Sequence, residues 1–424
     1  MLDLKFIKEN IDAVKENIRN RNVQADADKV VELYDARNKA LQELEELRRQ
    51  RNENAKKMKG KLEQDVRQAL IEEGKSIKEQ IAAMEASSEN IFTSLKEEAS
   101  LIPNMAHPDA PLGKEDKDNT EIKRSGTVPQ FSFKAKDHVE LGEALKLIDF
   151  ETATRVSGSK FYYLTNEAVI LELALTRYAL DILQKHGFMM TLTPDIAREE
   201  IVEGIGFNPR GEESNIYTIE GTGTCLVGTA EITLGGYHAG QIIDLSKGPI
   251  LMAGVSHCFR REAGSAGQYS KGLYRVHQFS KIEMFAYCKP EESDALHEKL
   301  RGIEEEIFSS LEIPFRVVDT CTGDLGGPAY RKYDLEAWMP GRGEEGDWGE
   351  ITSTSNCTDY QSRRLGIRYK DEKGNNIHAH TLNGTAIAIS RAIISLMENF
   401  QQEDGSIRIP DALVPYTGFS EIRR

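Results

Sequence analysis

Residues 255–287 bring side chains of several chemical types into one short stretch. The residues alternate up to 261, are rich in glycine, serine and alanine at 262–271, and are rich in aromatic and branched types beyond 272. This pattern predicts two antiparallel strands joined by a long flexible loop. The strands would carry Arg260, Glu262, Arg275, Phe279 and Glu283. On one pleated face such side chains could bind an anion, a flat ring and an amine, whereas a solvated hairpin with salt bridges is the alternative.

Two other stretches supply hydroxyl and carboxylate groups. Thr229 and Glu231 flank one alanine directly after a glycine, a combination that suits a small amino acid with a polar side chain. A simple loop cap is the alternative there. Glu350 and Ser353 belong to a dense polar cluster at 350–356. Such oxygens can hold Mg²⁺ when phosphates complete the coordination shell.

An arginine stands on an apolar segment near the C-terminus. Residues 385–402 predict a helix that follows a strand break at Asn383-Gly384, and Arg391 lies on this helix. Burying a guanidinium group is costly unless it meets an anion. Arg391 is therefore predicted to face a negatively charged ligand or side chain.

The elements that must position these residues begin with a long helical segment. Between about residues 27 and 101 there is no proline, and Gly60 and Gly74 are the only glycines. Two sets of residues recur at spacings of three, four and seven, which is typical of coiled-coil seams: Leu33, Ala40, Leu44 and Leu47 before Gly60, and Ile77, Ile81, Met84, Ser88, Ile91 and Leu95 after it. The chain is predicted to turn back near Gly60, giving two antiparallel helices of roughly 30 to 35 residues in an arm about 45 to 50 Å long.

The predicted tip of this arm is basic, although the formal net charge of the 424-residue chain is -15. Seven cationic side chains face one acid, Glu53, in this window: Arg48, Arg49, Arg51, Lys56, Lys57, Lys59 and Lys61. A basic tip on an acidic chain indicates contact with a phosphate backbone. A solvated coiled-coil tip or a protein-docking arm is the alternative.

Composition narrows the class of protein. A run of about 18 apolar residues is missing, so no membrane partner is expected. The start of the chain reads as an amphipathic helix and does not resemble a signal or transit peptide. The five cysteines are scattered without a CxxC pair. This indicates a reducing compartment, so a cytoplasmic location is expected.

Three segments together resemble the motifs of class II aminoacyl-tRNA synthetases: a helix, strand and proline at 167–194, an Arg-x-Glu hairpin at 255–287, and a strand, glycine and helix with arginine at 377–400. The helical arm and the strings TAE, CFRREAG, HQFSKIEMF and EITSTSNCTDYQSRR resemble more narrowly the bacterial-type seryl-tRNA synthetases. The resemblance implies an α+β fold, with a central antiparallel sheet flanked by helices and preceded by a two-helix coiled-coil arm. The domains would be a tRNA-binding arm at 1–105 and a catalytic domain at 106–424.

The resemblance implies an ATP site composed of Arg260, Arg261, Glu262, Arg275, Val276, Phe279, Glu350, Ile351, Thr352, Ser353 and Arg391. Arg260 and Arg391 would be catalytic, with Arg260 at the α-phosphate and Arg391 gripping the terminal phosphates beside Arg275. Phe279 would stack on the adenine, whose other face would meet Arg391, and Glu262 would contact the adenine edge. Glu350 and Ser353 would hold Mg²⁺. Strand alternation directs Arg261 away from Arg260, so Arg261 receives no specific role.

The resemblance also implies a serine site composed of Thr229, Ala230, Glu231, Glu283, Asn383 and Thr385. Glu283 would bind the α-ammonium group, while Glu231 and Thr385 would read the hydroxyl. The implied activity is serine–tRNA ligase, which forms seryl-adenylate from L-serine and ATP and then charges tRNA(Ser), with tRNA(Sec) as a second candidate. The apolar helix predicted at 166–187 would build a homodimer, and the arm of one subunit would reach tRNA bound to the other.

Two other functions fit parts of the pattern. A paralogue that loads an amino acid onto a carrier protein would resemble the catalytic domain but would lack the arm. A degenerate RNA-binding subunit would have lost Arg260, Glu262, Glu350 or Arg391, and all four are present. The sequence therefore favours the tRNA ligase.

Overall fold

The computed structural model describes residues 1–209, 214–263 and 269–424. The chain divides into two units, Met1–Met105 and Ala106–Arg424. The first unit contains α1 (Leu4–Glu9), α2 (Ile11–Asn20), α3 (Ala27–Lys57) and α4 (Gln64–Leu101). No helix in these described ranges is long and apolar enough to cross a membrane.

Helices α3 and α4 form the predicted two-helix arm. The Asp26 side chain caps α3 by accepting a hydrogen bond from the Lys29 amide. The predicted seam is buried, with Leu44 of α3 packed against Ile77 and Ile81 of α4. The helices end and begin on either side of Gly60, whose backbone has a φ of 141°. The turn lies where the sequence predicted it, because glycine adopts this conformation at little cost.

The helices of the second unit are α5 (His138–Ala144), α6 (Phe150–Ser157), α7 (Glu167–Lys185), α8 (Glu199–Ile205), α9 (Glu231–Gly236), α10 (Ser293–Ser310), α11 (Tyr360–Leu365), α12 (Ile389–Asn399) and α13 (Val414–Thr417). Its strands are β1 (Thr120–Ser125), β2 (Ile148–Asp149), β3 (Tyr163–Leu164), β4 (Met189–Leu192), β5 (Ile196–Arg198), β6 (Tyr217–Ile219), β7 (Thr224–Leu226), β8 (Ile242–Ile243), β9 (Ile250–Phe259), β10 (Gln278–Cys288), β11 (Phe315–Asp319), β12 (Arg331–Met339), β13 (Asp347–Asn356), β14 (Arg368–Lys370), β15 (Asn376–His378), β16 (His380–Ala388), β17 (Ile407–Arg408) and β18 (Glu421–Ile422).

The main sheet has the strand order β1-β11-β12-β13-β16-β10-β9-β4. Its strand pairs are antiparallel, except that β4 runs parallel to β9. Met284 and Ala286 of β10 are buried in one core with Leu300 of α10. Alternation along the strand therefore directs Glu283 to the opposite face of the sheet. The predicted antiparallel sheet flanked by helices is confirmed.

The predicted hairpin exists, but its strands are shorter than predicted. Strand β9 ends at Phe259 and β10 begins only at Gln278. Arg260, Glu262 and Arg275 therefore lie beyond the strand ends, and the expectation that the strands carry them is wrong. Glu262 has a φ of 50°, a left-handed conformation that is incompatible with a strand extending to this residue. The predicted flexible loop includes residues 264–268, which lie outside the described residues.

The predicted strand break at Asn383-Gly384 is also wrong. Strand β16 continues to Ala388, and α12 starts at Ile389. The strand persists because β10 and β13 pair with it on both sides. A Cβ atom at position 384 would lie 2.9 Å from Thr354 Oγ1 and 3.0 Å from Glu304 Oε1. Gly384 therefore permits close packing beneath the sheet and does not end the strand.

Candidate active site

The exposed face of β10, β13 and β16 forms the floor of a cavity of about 640 Å³. Strand register explains why distant residues meet there, since directly opposed residues point to the same side. Thr385 lies opposite Glu283, and Asn383 lies opposite Ser355. The cavity brings together most of the predicted site residues: Thr229, Glu231, Arg260, Glu262, Arg275, Val276, Phe279, Glu283, Glu350, Ile351, Thr352, Ser353, Asn383, Thr385 and Arg391.

Two predicted residues do not line this cavity. Ala230 is fully buried and packs close to Gly254 of β9. Arg261 is exposed, and its backbone N–H donates to the carbonyl oxygen of Asn215 at 2.9 Å. Arg261 does not line the cavity wall that Arg260 forms, and strand alternation does not apply to either residue, because the strand ends at Phe259.

One end of the cavity presents a cation beside an aromatic ring. The guanidinium carbon of Arg260 lies 5.2 Å from the centroid of the Phe279 ring. Arg260 Nε donates to the Gly228 carbonyl oxygen at 3.3 Å. Arg275 NH1 donates to Glu262 Oε2 at 3.1 Å, and the Glu262 side chain is almost fully buried. These contacts place two guanidinium groups and an aromatic ring side by side, which suits an aromatic ligand carrying negative charge.

Arg391 meets Glu350 at the adjoining wall. Its NH1 donates to the Glu350 carbonyl oxygen at 2.9 Å and lies 3.3 Å from Glu350 Oε2. The guanidinium group packs on the ring of Tyr274, 4.7 Å from the ring centroid. The sequence correctly predicted an anionic neighbour for Arg391. It gave no signal for Tyr274, which lies in the segment 272–277 that the sequence assigned to a strand.

Glu350 is suited to a hard cation. Burial would raise the pKa of its carboxyl group, but the nearby Arg391 and Lys332 outweigh burial and lower the pKa below the usual range. The carboxylate is therefore ionised at neutral pH, and 42% of its side chain is exposed. Ser353 lines the cavity close by on the same strand. No group of three or more His, Cys, Asp or Glu residues in the described part of the chain could bind a metal by itself.

The other end of the cavity holds two carboxyl groups in different environments. Glu231 Oε1 accepts hydrogen bonds from Gln361 Nε2 at 2.8 Å and Asn383 Nδ2 at 2.9 Å. Burial, with the nearby Glu283 carboxylate, raises the pKa of Glu231 to about 7. Thr385 Oγ1 donates to Glu283 Oε2 at 3.2 Å. This end therefore offers carboxyl, amide and hydroxyl groups to a small polar ligand.

Sequence reasoning missed several polar residues in and around the cavity, among them Lys281, Lys332 and Gln361. Lys281 Nζ lies 2.5 Å from Glu283 Oε2, and Lys332 Nζ lies 3.1 Å from Asp334 Oδ2. Gln361 supports Glu231 from α11. Period-two alternation could have found Lys281, which precedes Glu283 by two positions on the predicted strand. Gln361 carried no such signal, because its helix approaches the site only through the tertiary fold.

The seven basic residues predicted at the tip of the arm fall into two groups. Arg48 NH2 pairs with Glu85 at 2.9 Å, and Arg49 NH2 pairs with Glu46 at 2.8 Å. The remaining five make no ion pair with any described residue: Arg51, Lys56, Lys57, Lys59 and Lys61. Five of the seven cations predicted at the tip are therefore without an ion pair to a described residue, and they lie at the C-terminal end of α3 and in the connection to α4.

Both units of the chain are similar in sequence to domains of known proteins. Residues 1–106 match the seryl-tRNA synthetase N-terminal domain, and residues 220–400 match the class II tRNA synthetase core domain for G, H, P, S and T. A serine–tRNA ligase of Treponema denticola is 67% identical over 422 residues, covering 100% of each chain. The chain belongs to the seryl-tRNA synthetase family. It is an aminoacyl-tRNA synthetase, and so a ligase, as the sequence predicted.

Further relatives extend this similarity to solved structures. A serine–tRNA ligase of Borreliella burgdorferi is 57% identical over 422 residues, covering 100% of this chain and 99% of the relative. The seryl-tRNA synthetase of Pyrococcus horikoshii complexed with ATP superposes with a TM-score of 0.90 at 41% identity, covering 100% of this chain and 99% of that one. The cytoplasmic enzyme of Naegleria fowleri in complex with AMP has a TM-score of 0.86 at 31% identity with the same coverage.

Proposed function

We propose that this chain is a serine–tRNA ligase that forms seryl-adenylate from L-serine and ATP and transfers the seryl group to the 3′-terminal adenosine of tRNA(Ser). The observation that carries the proposal is the single cavity, which joins a cationic, aromatic end to an end with carboxyl, amide and hydroxyl groups. These two ends have the complementary chemistry for ATP and for serine. Family membership supports the same assignment.

The first step needs positioning and charge neutralisation more than an acid or base. The serine carboxylate attacks the α-phosphorus in line, a new carboxyl O–P bond forms, and the bond to pyrophosphate breaks. Arg260 is assigned to the α-phosphate because its guanidinium group lies over Phe279, where the adenine would stack. Glu262 is assigned to the adenine edge, and Arg275, which pairs with it, to the terminal phosphates.

Glu350 and Ser353 are proposed to hold Mg²⁺. The fit is chemical, because an ionised carboxylate and a hydroxyl supply hard oxygen ligands, and phosphates commonly complete a Mg²⁺ shell that the protein leaves open. When bound, the ion neutralises negative charge on the phosphates. Arg391 contributes fixed positive charge beside Glu350, and its packing on Tyr274 keeps the guanidinium group oriented.

Selection of serine is assigned to the other end of the cavity. Glu283 would accept from the α-ammonium group, while Glu231 and Thr385 would hydrogen-bond the hydroxyl. Asn383 orients Glu231 through the 2.9 Å bond, and Thr229 Oγ1 accepts from the Glu231 backbone N–H at 3.2 Å. Alanine would leave these polar groups unpaired, which disfavours it strongly, and threonine would be excluded by size.

The second step and the partners follow from the arm and from α7. The 2′ or 3′ hydroxyl of the terminal adenosine attacks the seryl carbonyl, and AMP leaves. The five unpaired cations at the tip support phosphate contact with tRNA(Ser), and tRNA(Sec) is a second candidate because the contact is not base-specific. Exposed Leu173 of α7 and Leu192 of β4 support a homodimer in which the arm of one subunit reaches tRNA on the other. The five scattered cysteines, which form no CxxC pair, support a cytoplasmic location.

Serine-dependent ATP–pyrophosphate exchange tests the first step, with alanine, glycine and threonine as controls. We expect exchange with serine and very little with the other three. If none of the amino acids stimulates exchange, the assignment of this enzyme activity is refuted. Charging of tRNA(Ser) then separates the ligase from a paralogue that loads a carrier protein, since such a paralogue would support exchange without charging tRNA.

A further inference from the structure

Lys281 is a buried cation inside the cavity to which the proposed function assigns no role. It lies on β10, two positions before Glu283, so both side chains point to the cavity face of the sheet. Only 7% of the Lys281 side chain and 2% of the Glu283 side chain are exposed. Lysine is rarely buried to this extent without a specific partner.

The Lys281 ammonium group closes a three-membered network. Its Nζ lies 2.5 Å from Glu283 Oε2 and donates to Thr385 Oγ1 at 3.3 Å. Thr385 Oγ1 donates in turn to the same Glu283 oxygen at 3.2 Å. Each member therefore contacts the other two, across neighbouring strands that are paired at Glu283 and Thr385.

The charges around the network explain why a cation is needed there. Glu231 of α9 and Glu304 of α10 both interact electrostatically with Glu283, so three acidic groups from three elements converge. Arg260 is the other cation that acts on Glu231. A buried carboxylate among other acids is unfavourable without a paired cation. Lys281 supplies this charge at hydrogen-bonding distance.

We propose that Lys281 is a positioning residue of the serine site, which holds the Glu283 carboxylate and the Thr385 hydroxyl in the geometry that binds the substrate's amino group and hydroxyl. The inference rests on the proposed function, because it takes Glu283 and Thr385 as serine ligands. Lys281 uses Oε2 of Glu283 and leaves Oε1 for the amino group. The role is to fix and charge-balance the ligands of serine, with no direct part in ATP binding.

The test compares Michaelis constants for serine and ATP in the exchange reaction of the full chain. Lys281→Met should raise the KM for serine on the order of 100-fold, since removing one partner of a buried ion pair leaves the other charge uncompensated. The KM for ATP should stay within about threefold of the wild type, a change of less than about 0.7 kcal/mol. Lys281→Arg keeps the cation, so its KM for serine should be at least tenfold lower than that of Lys281→Met.

Lys123→Met is the matched control, because Lys123 of β1 pairs with Glu305 outside the cavity. It should leave both Michaelis constants unchanged. Lys281→Gln preserves a hydrogen-bond donor of similar length and carries the test if the methionine variant does not fold. Circular dichroism verifies that each variant is folded before its kinetics are compared.

The pH profile tests whether the charge of Lys281 acts on the acidic groups of the serine site. Lys281 lowers the pKa of Glu231 against the effects of burial and of Glu283. The inflection in kcat/KM for serine should therefore move to higher pH in Lys281→Met and stay in place in Lys123→Met.

A KM for serine that is unchanged or lower in Lys281→Met would overturn the proposal, since the lysine would then only compete with the amino group. Equal increases in both Michaelis constants would also overturn it, because the effect would then be general to the cavity. Failure of the wild type to show serine-dependent exchange would instead refute the proposed function, so the two failures are distinguishable.

Discussion

The basic tip of the arm gives a prediction whose size follows from the ion pairs. Lys56, Lys57 and Lys59 lie at the end of α3 and make no ion pair with described residues, whereas Arg48 and Arg49 are paired with acids of the arm. Replacing the three lysines by glutamine should weaken tRNA binding and flatten its dependence on salt. The reason is that fewer counterions are released from the tRNA on binding when fewer of its phosphates are neutralised.

The magnitude can be worked from counterion release. Each phosphate neutralised contributes roughly -0.7 to -0.9 to the slope of log K against log salt concentration. Loss of three contacts should therefore reduce the steepness of the slope by about 2 to 3. The matched variant replaces Arg48 and Arg49 by glutamine. These side chains already pair with Glu85 and Glu46, so their loss should change the slope by less than about 1.

Filter binding or fluorescence anisotropy with tRNA(Ser) at 50 to 200 mM salt, as in ordinary salt titrations, measures both slopes. Pyrophosphate exchange serves as the control for an intact catalytic unit, and it should be the same in both variants and the wild type. An unchanged slope in the triple-lysine variant would show that these lysines do not meet phosphate. A larger effect from the two arginines would show that their ion pairs within the arm open on binding and that pairing does not keep a cation from phosphate.

Other predictions address the arm, the serine site and the sheet. Deleting roughly residues 30–95 should spare pyrophosphate exchange and abolish tRNA charging, and normal charging by the truncated enzyme would contradict the assigned role of the arm. Glu231 has its pKa raised to about 7, so its contribution to stability is present at low pH and lost as pH rises towards and through 7. The melting temperature of Glu231→Gln, relative to that of the wild type, should therefore rise between about pH 5 and 8. A difference in melting temperature that stays constant over this range would refute the prediction. Gly384→Ala should lower the free energy of unfolding by about 1 to 3 kcal/mol, because the added methyl group would overpack against Thr354. Gly302→Ala on α10 has open space around its Cβ position and should raise the free energy of unfolding by about 0.5 to 1 kcal/mol. Urea unfolding measures both changes.

Local patterns explain where the sequence succeeded. The arm was predictable because heptad spacing and the absence of proline act within a single helix, and the buried Leu44 and Ile81 lie on the predicted seam. The hairpin was predictable from its alternation, but its ends were not. Strand β9 ends at Phe259, and Glu262 beyond it has a positive φ and a buried ion pair with Arg275 that only the tertiary structure provides. The prediction of a strand break at Gly384 was wrong because the glycine permits close packing there and does not form a turn.

The sequence by itself determined the class of the protein and the two-helix arm with its basic tip, and it predicted about half of the residues that line the cavity. The tertiary structure alone decided how the charges are paired: Arg391 with Glu350, Lys281 with Glu283, and Arg48 with Glu85. The physical reason is distance along the chain. A side chain's type and periodicity are local properties, whereas the partner of a charge depends on which strands and helices pack together and on how deeply both groups are removed from water.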